Sequence, residues 1–358
     1  MDHGLRRGRL VETFEALEVD GLLVTHLPNV RYLSGYSGSN GQVIVGREGA
    51  RFFTDGRYIE QSRREVPDME RVIYSTDYTD RLKEACSDLG LERLGFESES
   101  VTYRDWERFS DLAGTLVPLR DEVGKLRWVK DEEELALIAE AQRITDEGFA
   151  AIIERFSEGM TEKQMARALE WEMLERGATG LAFETIAAFG EQSAEPHHEP
   201  TDRALRRGDV VKLDFGALFE GYHSDMTRTV AFGEPPAQLR EVYEVVRQAQ
   251  QTGVDAVKAG VSGQDPDKAA REVIEAAGYG DAFTHSLGHG VGLEIHEGPT
   301  LTSSESAKDE FLPVNTVVTV EPGVYLAGVG GVRIEDMVIV TEDGCRVMPS
   351  SPKELIVL

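Results

Sequence analysis

Apolar and polar positions follow two different rhythms along this chain. Over roughly the first 120 residues, short apolar runs predict strands at GLLVTH (21–26), QVIVG (42–46), ARFFT (50–54), RVIY (71–74) and LGFE (94–97). Helical patterns fall between them, over 5–18, 56–65 and 79–90, and again from 102. Strands alternating with helices predict an α/β domain. The chain then turns strongly charged at VPLRDEVGKLRWVKDEEE (117–134), which places a boundary between an N-terminal domain over 1–124 and a second domain over 125–358.

The second stretch has stronger punctuation. Leu137, Ala141, Ile144, Gly148, Ile152 and Phe156 recur at helical spacing and predict one long helix over 131–156. Thr161 with Gln164 has the form of a capping box, opening a helix whose stripe is Met165, Leu169 and Met173 and which Gly177 ends. Strands are expected at 181–189, 209–216 and 222–232. A second cycle follows: a helix over 237–258 ending near Gly260, another from Asp265 with Pro266 at its first position, then strands at 315–325 and 331–340. Helix, helix, strands thus occurs twice, which suggests an internal duplication.

Composition narrows the class. A length of 358 residues suits two domains, and a hydrophobic content of 41% sustains a core. The net charge of −27 argues against general nucleic-acid binding, because phosphates would be repelled. No run of 18 apolar residues occurs, so no membrane-spanning helix is expected, and the opening MDHGLRRGRLVETFEALEVD lacks an apolar signal core. Cys86 and Cys345 form neither a disulfide framework nor a metal-type pair. A soluble cytoplasmic protein is the expectation.

Candidate chemistry concentrates in the second domain, where six of the eight His lie between 197 and 296. VVKLDFGALFEGYHSDMTRTVAF (210–232) reads as a hairpin that brings Asp214 near Asp225. A carboxylate amid Val, Leu and Phe needs compensation, and two together repel unless a divalent cation relieves them. Taken alone, the pair reads first as a hairpin with one ion-paired and one exposed Asp. VVTVEPGVY (317–325) and GGVRIEDMVIV (330–340) repeat the anomaly with Glu321 and Glu335. Arg333, two residues from Glu335 and on the same strand face, could be its plain ion-pair partner or could orient it beside a metal. HSLGHGVGLEIHEGP (285–299) adds His285, His289 and His296 among glycines, with neither an HExxH helix nor a phosphate loop nor a dinucleotide fingerprint. Four carboxylates with a Gly-embedded His suit Mn²⁺, and less specifically Co²⁺, Fe²⁺ or Zn²⁺, and two bridging-capable carboxylates make a two-metal site natural.

In these residues the second domain resembles the pita-bread metallopeptidases, the family of methionine aminopeptidase, aminopeptidase P and prolidase. Five blocks correspond in order: SAEPHHEPTDR (193–203), LDFGA (213–217), SDMTRTVAF (224–232), HSLGHGVGLEIHE (285–297), and VEPGVY with GGVRIED (320–336). NVRYLSGYSGSNG (29–41) and FFTDGRY (52–58) are similar to the N-terminal domain of prolidases and aminopeptidases P, which methionine aminopeptidases lack. The resemblance implies an α/β N-terminal domain followed by an α+β pita-bread domain of creatinase/aminopeptidase type. It implies Asp214, Asp225, His289, Glu321 and Glu335 as ligands of two metal ions, with Asp225 and Glu335 bridging. It further implies Glu321 as proton shuttle, His296 as partner of the oxyanion, His197 as substrate contact near the proline, and Arg333 as the group that orients a ligand carboxylate. The substrate would be an Xaa-Pro peptide and the assembly a homodimer. The short chain resembles prolidases, which cleave dipeptides, with aminopeptidase P as the close alternative. A non-catalytic peptide-binding relative is disfavoured, because such relatives lose the ligands.

Some positions depart from that pattern or stay outside it. Several prolidase-like relatives carry an Arg after the equivalent of Glu297-Gly298-Pro299 that can clamp a dipeptide carboxylate, and here Thr300 stands there. His197, or Arg57 of a neighbouring subunit, is the candidate replacement. His198 is expected to be a solvated or supporting neighbour, His223 and His285 structural, and Tyr222 and Tyr325 core packing.

Overall fold

The computed structural model describes residues 1–76 and 78–358, which fall into two units, Met1–Arg127 and Trp128–Leu358. The division lies inside the charged 117–134 stretch.

In the first unit a six-stranded sheet runs, edge to edge, Glu70–Tyr74, Gly49–Asp55, Gln42–Gly46, Gly21–Val24, Arg93–Glu97, Thr115–Leu119. The Gly21–Val24 strand pairs antiparallel with Gln42–Gly46 and parallel with Arg93–Glu97. All four of its residues are buried, which is why GLLV is a continuous apolar run rather than an alternating one. The helix expected over 5–18 stops at Thr13. The chain then turns back through Glu18, at positive φ, and the Val19 amide bonds the Phe14 carbonyl. A helix absent from the sequence reading, Leu27–Ser34, follows the first strand. The amides of Thr25 and His26, just ahead of it, donate to Glu97 at 2.7 and 2.8 Å. Local pattern cannot reveal an anchor some 70 residues away. The charged boundary stretch itself holds a strand, Thr115–Leu119, and a helix, Glu122–Trp128.

The second unit repeats helix pair and sheet. Glu132–Ile153 and Glu162–Glu175 each open on a full capping box, Asp131 with Glu134 and Thr161 with Gln164. Ile144, Phe149, Leu169 and Met173 share a core with Phe189, Val211, Leu213 and Val230 of the sheet Ile186–Phe189, Asp209–Phe215, Met226–Phe232. Ala237–Ala256 and Gln264–Ala276 cover the five-stranded sheet that contains Gly288–Gly290, Val317–Val320 and Asp336–Val340. The latter helix starts at Gln264, before the expected Asp265, whose carboxylate accepts from the Ser262 amide.

The expected 181–189 strand divides into Gly180–Leu181 and Ile186–Phe189. Three more expected strands are broken, and these breaks share a logic. The 222–232 run divides into Tyr222–His223 and Met226–Phe232, 315–325 into Val317–Val320 and Gly323–Leu326, and 331–340 into Gly330–Arg333 and Asp336–Val340. The interruptions fall at Asp225, Glu321 and Glu335. Pro322 has no N–H to donate, so the ladder cannot continue past Glu321. Leaving the ladder frees each carboxylate to turn inward instead of alternating across a sheet. The Glu321 amide bonds the Leu287 carbonyl and the Glu335 amide bonds the Thr227 carbonyl, which fixes the backbone at both breaks.

Candidate metal centre

Asp214 enters from the Asp209–Phe215 strand, whose antiparallel register sets it opposite Thr227. Asp225 immediately precedes the partner strand, so the hairpin brings both carboxylates to one end. His289 lies on Gly288–Gly290, in the same sheet as the Val317–Val320 strand that leads to Glu321. One ligand atom each from Asp225, His289 and Glu335 lies within 4.8 Å of the others. His289 Nε2 is 3.6 Å from Asp225 and 3.5 Å from Glu321. Its Nδ1 is 3.0 Å from the Gly290 carbonyl, an acceptor, so the ring proton belongs on Nδ1 and the Nε2 lone pair faces the carboxylates. Burial, then the neighbouring His296, lowers the His289 pKa to about 4, keeping it neutral and able to ligate.

The electrostatics of this cluster call for positive charge. Burial, and then repulsion from Glu335, Asp214 and Glu321, pushes the Asp225 carboxyl well above its usual range. Glu321 is raised for the same reasons, burial first and Glu335 next. Glu335 is pushed up to about 8 by burial and then by Asp214. Arg333 is the cation in contact, ion-paired to Asp214 and 4.0 Å from Glu321. Asp214 Oδ1 is buried with no hydrogen-bond partner among the described residues. Four carboxylates, one neutral imidazole and one guanidinium leave a deficit that divalent cations would fill, and the hard oxygen donors suit such ions.

The plain ion pair expected between Arg333 and Glu335 is not what forms. The Gly330–Arg333 strand ends before Glu335, so the two do not share a strand face. Arg333 instead bonds Asp214, Thr227 Oγ1 at 3.0 Å, Tyr325 OH at 2.8 Å and the Pro196 carbonyl at 3.3 Å. Glu335 accepts from Thr227 Oγ1 at 2.7 Å. His296 packs against His289 with ring centroids 4.4 Å apart. His197 is exposed in a turn, within electrostatic reach of both His285 and His296.

Other residues take places the sequence reading did not assign. Tyr325 is half-buried, and its hydroxyl is a polar link, bonded to Arg333 and to His285 Nε2 at 2.9 Å. Burial, and then Arg333, lowers the His285 pKa to about 4. His198 is buried rather than solvated, with Glu162 at 2.9 Å on one ring nitrogen and Glu195 at 2.7 Å on the other. Lys212 is fully buried, and burial pushes its pKa down to about 6. A lysine inside VVKLDF, two residues before an anomalous Asp, was the available signal. Lys130 and Glu297 form an almost wholly buried ion pair at 2.7 Å, next to His296 in sequence. Tyr222 donates to Glu134 and His223 meets the Gly292 carbonyl, both structural roles. Arg57, the proposed carboxylate clamp, is bound by two hydrogen bonds to Asp55.

The profile of metallopeptidase family M24 matches residues 136–342, and that of the creatinase/prolidase N-terminal domain matches residues 6–129. The uncharacterised peptidase YqhT of Bacillus subtilis is 42% identical over 98% of this chain and 99% of its own. A solved Xaa-Pro dipeptidase from Bacillus anthracis superposes with a TM-score of 0.96 at 39% identity, covering 100% of both chains. An X-Pro aminopeptidase from Thermotoga maritima superposes with a TM-score of 0.90 at 38% identity, over 99% of this chain and 100% of that one.

Proposed function

Since this chain belongs to metallopeptidase family M24, behind an N-terminal domain of the creatinase/prolidase type, we propose that it hydrolyses the Xaa-Pro bond as an Xaa-Pro dipeptidase. The observation that carries this reading is the buried cluster of four carboxylates around the open Nε2 of His289. Catalysis is assigned to the domain over 125–358.

Asp214, Asp225, His289, Glu321 and Glu335 would hold two divalent cations. When bound, these supply Lewis acidity at the scissile carbonyl and lower the pKa of the attacking water. Glu321 takes the proton of that water and delivers it to the departing proline nitrogen, a role that suits a carboxylate beside the site where the cations would sit. His296 donates to the oxygen on which negative charge develops. His197 contacts the substrate on the proline side. Arg333 fixes one oxygen of Asp214 and so leaves Oδ1 free to ligate. Hard carboxylates with a single imidazole favour Mn²⁺, with Co²⁺ or Zn²⁺ as substitutes. Two free cysteines are consistent with a cytoplasmic enzyme, and the resemblance implies a homodimer.

A second reading, Xaa-Pro aminopeptidase acting on longer peptides, is favoured by Thr300. It pairs with His289 across the Gly288–Gly290 and Glu297–Leu301 strands, and it offers no charge to a dipeptide carboxylate. Parallel incubation of the Mn²⁺-loaded protein with Ala-Pro and Ala-Pro-Ala, followed by initial rates of alanine release, separates the two. Cleavage of Ala-Pro alone supports the dipeptidase. Efficient release from Ala-Pro-Ala supports the aminopeptidase. Release from neither refutes both.

A further inference from the structure

Lys212 and Asp214 lie two apart on the Asp209–Phe215 strand, so their side chains leave the same face. Lys212 is fully buried, and a buried amino group needs acceptors for its N–H donors. Its bonds go to main chain: it donates to the Glu195 carbonyl, and to the Pro196 carbonyl at 3.2 Å. The ring of Tyr325 lies 5.2 Å from Nζ. The Pro196 oxygen also receives Arg333 Nη1 at 3.3 Å. Two donors therefore converge on the carbonyl whose peptide plane includes the amide of His197.

His197 depends on that anchorage. Its ring is exposed and makes no hydrogen bond among the described residues, so what the protein fixes is the place of its backbone. On the far side, His198 is locked between Glu162 and Glu195. On the near side, the hold on Pro196 comes from Lys212 and Arg333, and Arg333 is already committed to Asp214.

We propose that Lys212 is a positioning residue for the substrate contact made by His197. It ties the 195–197 segment to the strand that carries Asp214. The proposal rests on the reading of His197 as a substrate contact.

The test uses the full-length, metal-loaded protein with Ala-Pro as substrate. Lys212→Met keeps most of the volume and removes the donor. Lys212→Gln keeps an N–H donor, and it guards against a Met variant that fails to fold. For Lys212→Met we expect KM to rise about five- to tenfold, in line with loss of the hydrogen bonds that hold the 195–197 segment. Bound metal should be unchanged, and kcat should move by less than about threefold, because the interaction lost is one of binding. Lys212→Gln should recover most of the KM. In a His197→Ala background the same Lys212→Met change should alter KM less than about twofold, because no imidazole remains to be misplaced. An equal rise in KM in both backgrounds overturns the proposal, as does an unaltered KM or a loss of bound metal. If His197→Ala alone leaves KM unaltered, the reading of His197 falls and the proposal with it. If His197→Ala raises KM and Lys212→Met does not, only the role of Lys212 falls.

Discussion

Replacing Glu335 by Gln should kill the enzyme and stabilise its metal-free form. The side chain is buried, and its pKa rises from the ordinary 4.5 to about 8. The sign follows from linkage. Below 4.5 the carboxyl is protonated whether the chain is folded or not, and it costs nothing. As pH rises, the unfolded chain releases this proton first, and stability falls until the folded value is passed. At 1.36 kcal/mol per tenfold change in proton affinity, the loss is about 3 kcal/mol at pH 7 and about 5 kcal/mol above pH 8. Gln carries no proton to lose, and it can still accept from Thr227 Oγ1. Metal-free Glu335→Gln should therefore melt about 6–12 °C above the metal-free parent at pH 7, using 2–4 °C per kcal/mol for a unit of this size. The two should coincide near pH 4. Calorimetry of chelator-dialysed protein across this range is the assay, with Ala-Pro turnover measured after Mn²⁺ addition. Equal melting temperatures at pH 7.5, or a gap that persists unchanged at pH 4, would refute the account of a carboxylate cluster held at a cost until cations arrive.

Three further outcomes are expected. Asp225→Asn should abolish Ala-Pro hydrolysis with the circular dichroism spectrum intact, since this fully buried carboxyl faces Glu335, Asp214 and Glu321; near-normal turnover would remove it from the metal site. Lys130→Met should cost about 3–5 kcal/mol, because it removes the ammonium that faces a buried carboxylate, and adding Glu297→Leu should restore most of that loss in denaturant titrations. Additive losses in the double variant would contradict the pairing. Thr300→Arg should lower KM for Ala-Pro about tenfold without improving Ala-Pro-Ala, because position 300 lies opposite His289 and a guanidinium there can reach a dipeptide carboxylate. Equal improvement of both substrates would place that side chain elsewhere.

Pattern alone was a sound guide wherever structure is local. The capping box at Thr161–Gln164 is formed by neighbours in sequence, and the apolar stripe of Ile144, Gly148 and Ile152 buries one helix face. It failed where the partner is distant. The Lys130–Glu297 pair left no local signature, and neither did the Glu97 anchor ahead of the Leu27–Ser34 helix, although Pro28 in its first turn and Gly35 at its end were local signals of the helix itself. It also failed where continuity was assumed, because the apolar runs around Glu321 and Glu335 read as unbroken strands.

By itself the sequence determined which residue types would meet, since Asp214, Asp225, Glu321 and Glu335 stand in apolar runs where a lone charge is too costly to persist uncompensated. The tertiary structure decided what each group touches. Arg333 went to Asp214 rather than to Glu335, Tyr325 became a polar link rather than core, and Lys212 reached the loop that bears His197. Burial demands a partner, and only the packing of strands far apart in the chain determines which partner lies within hydrogen-bond reach.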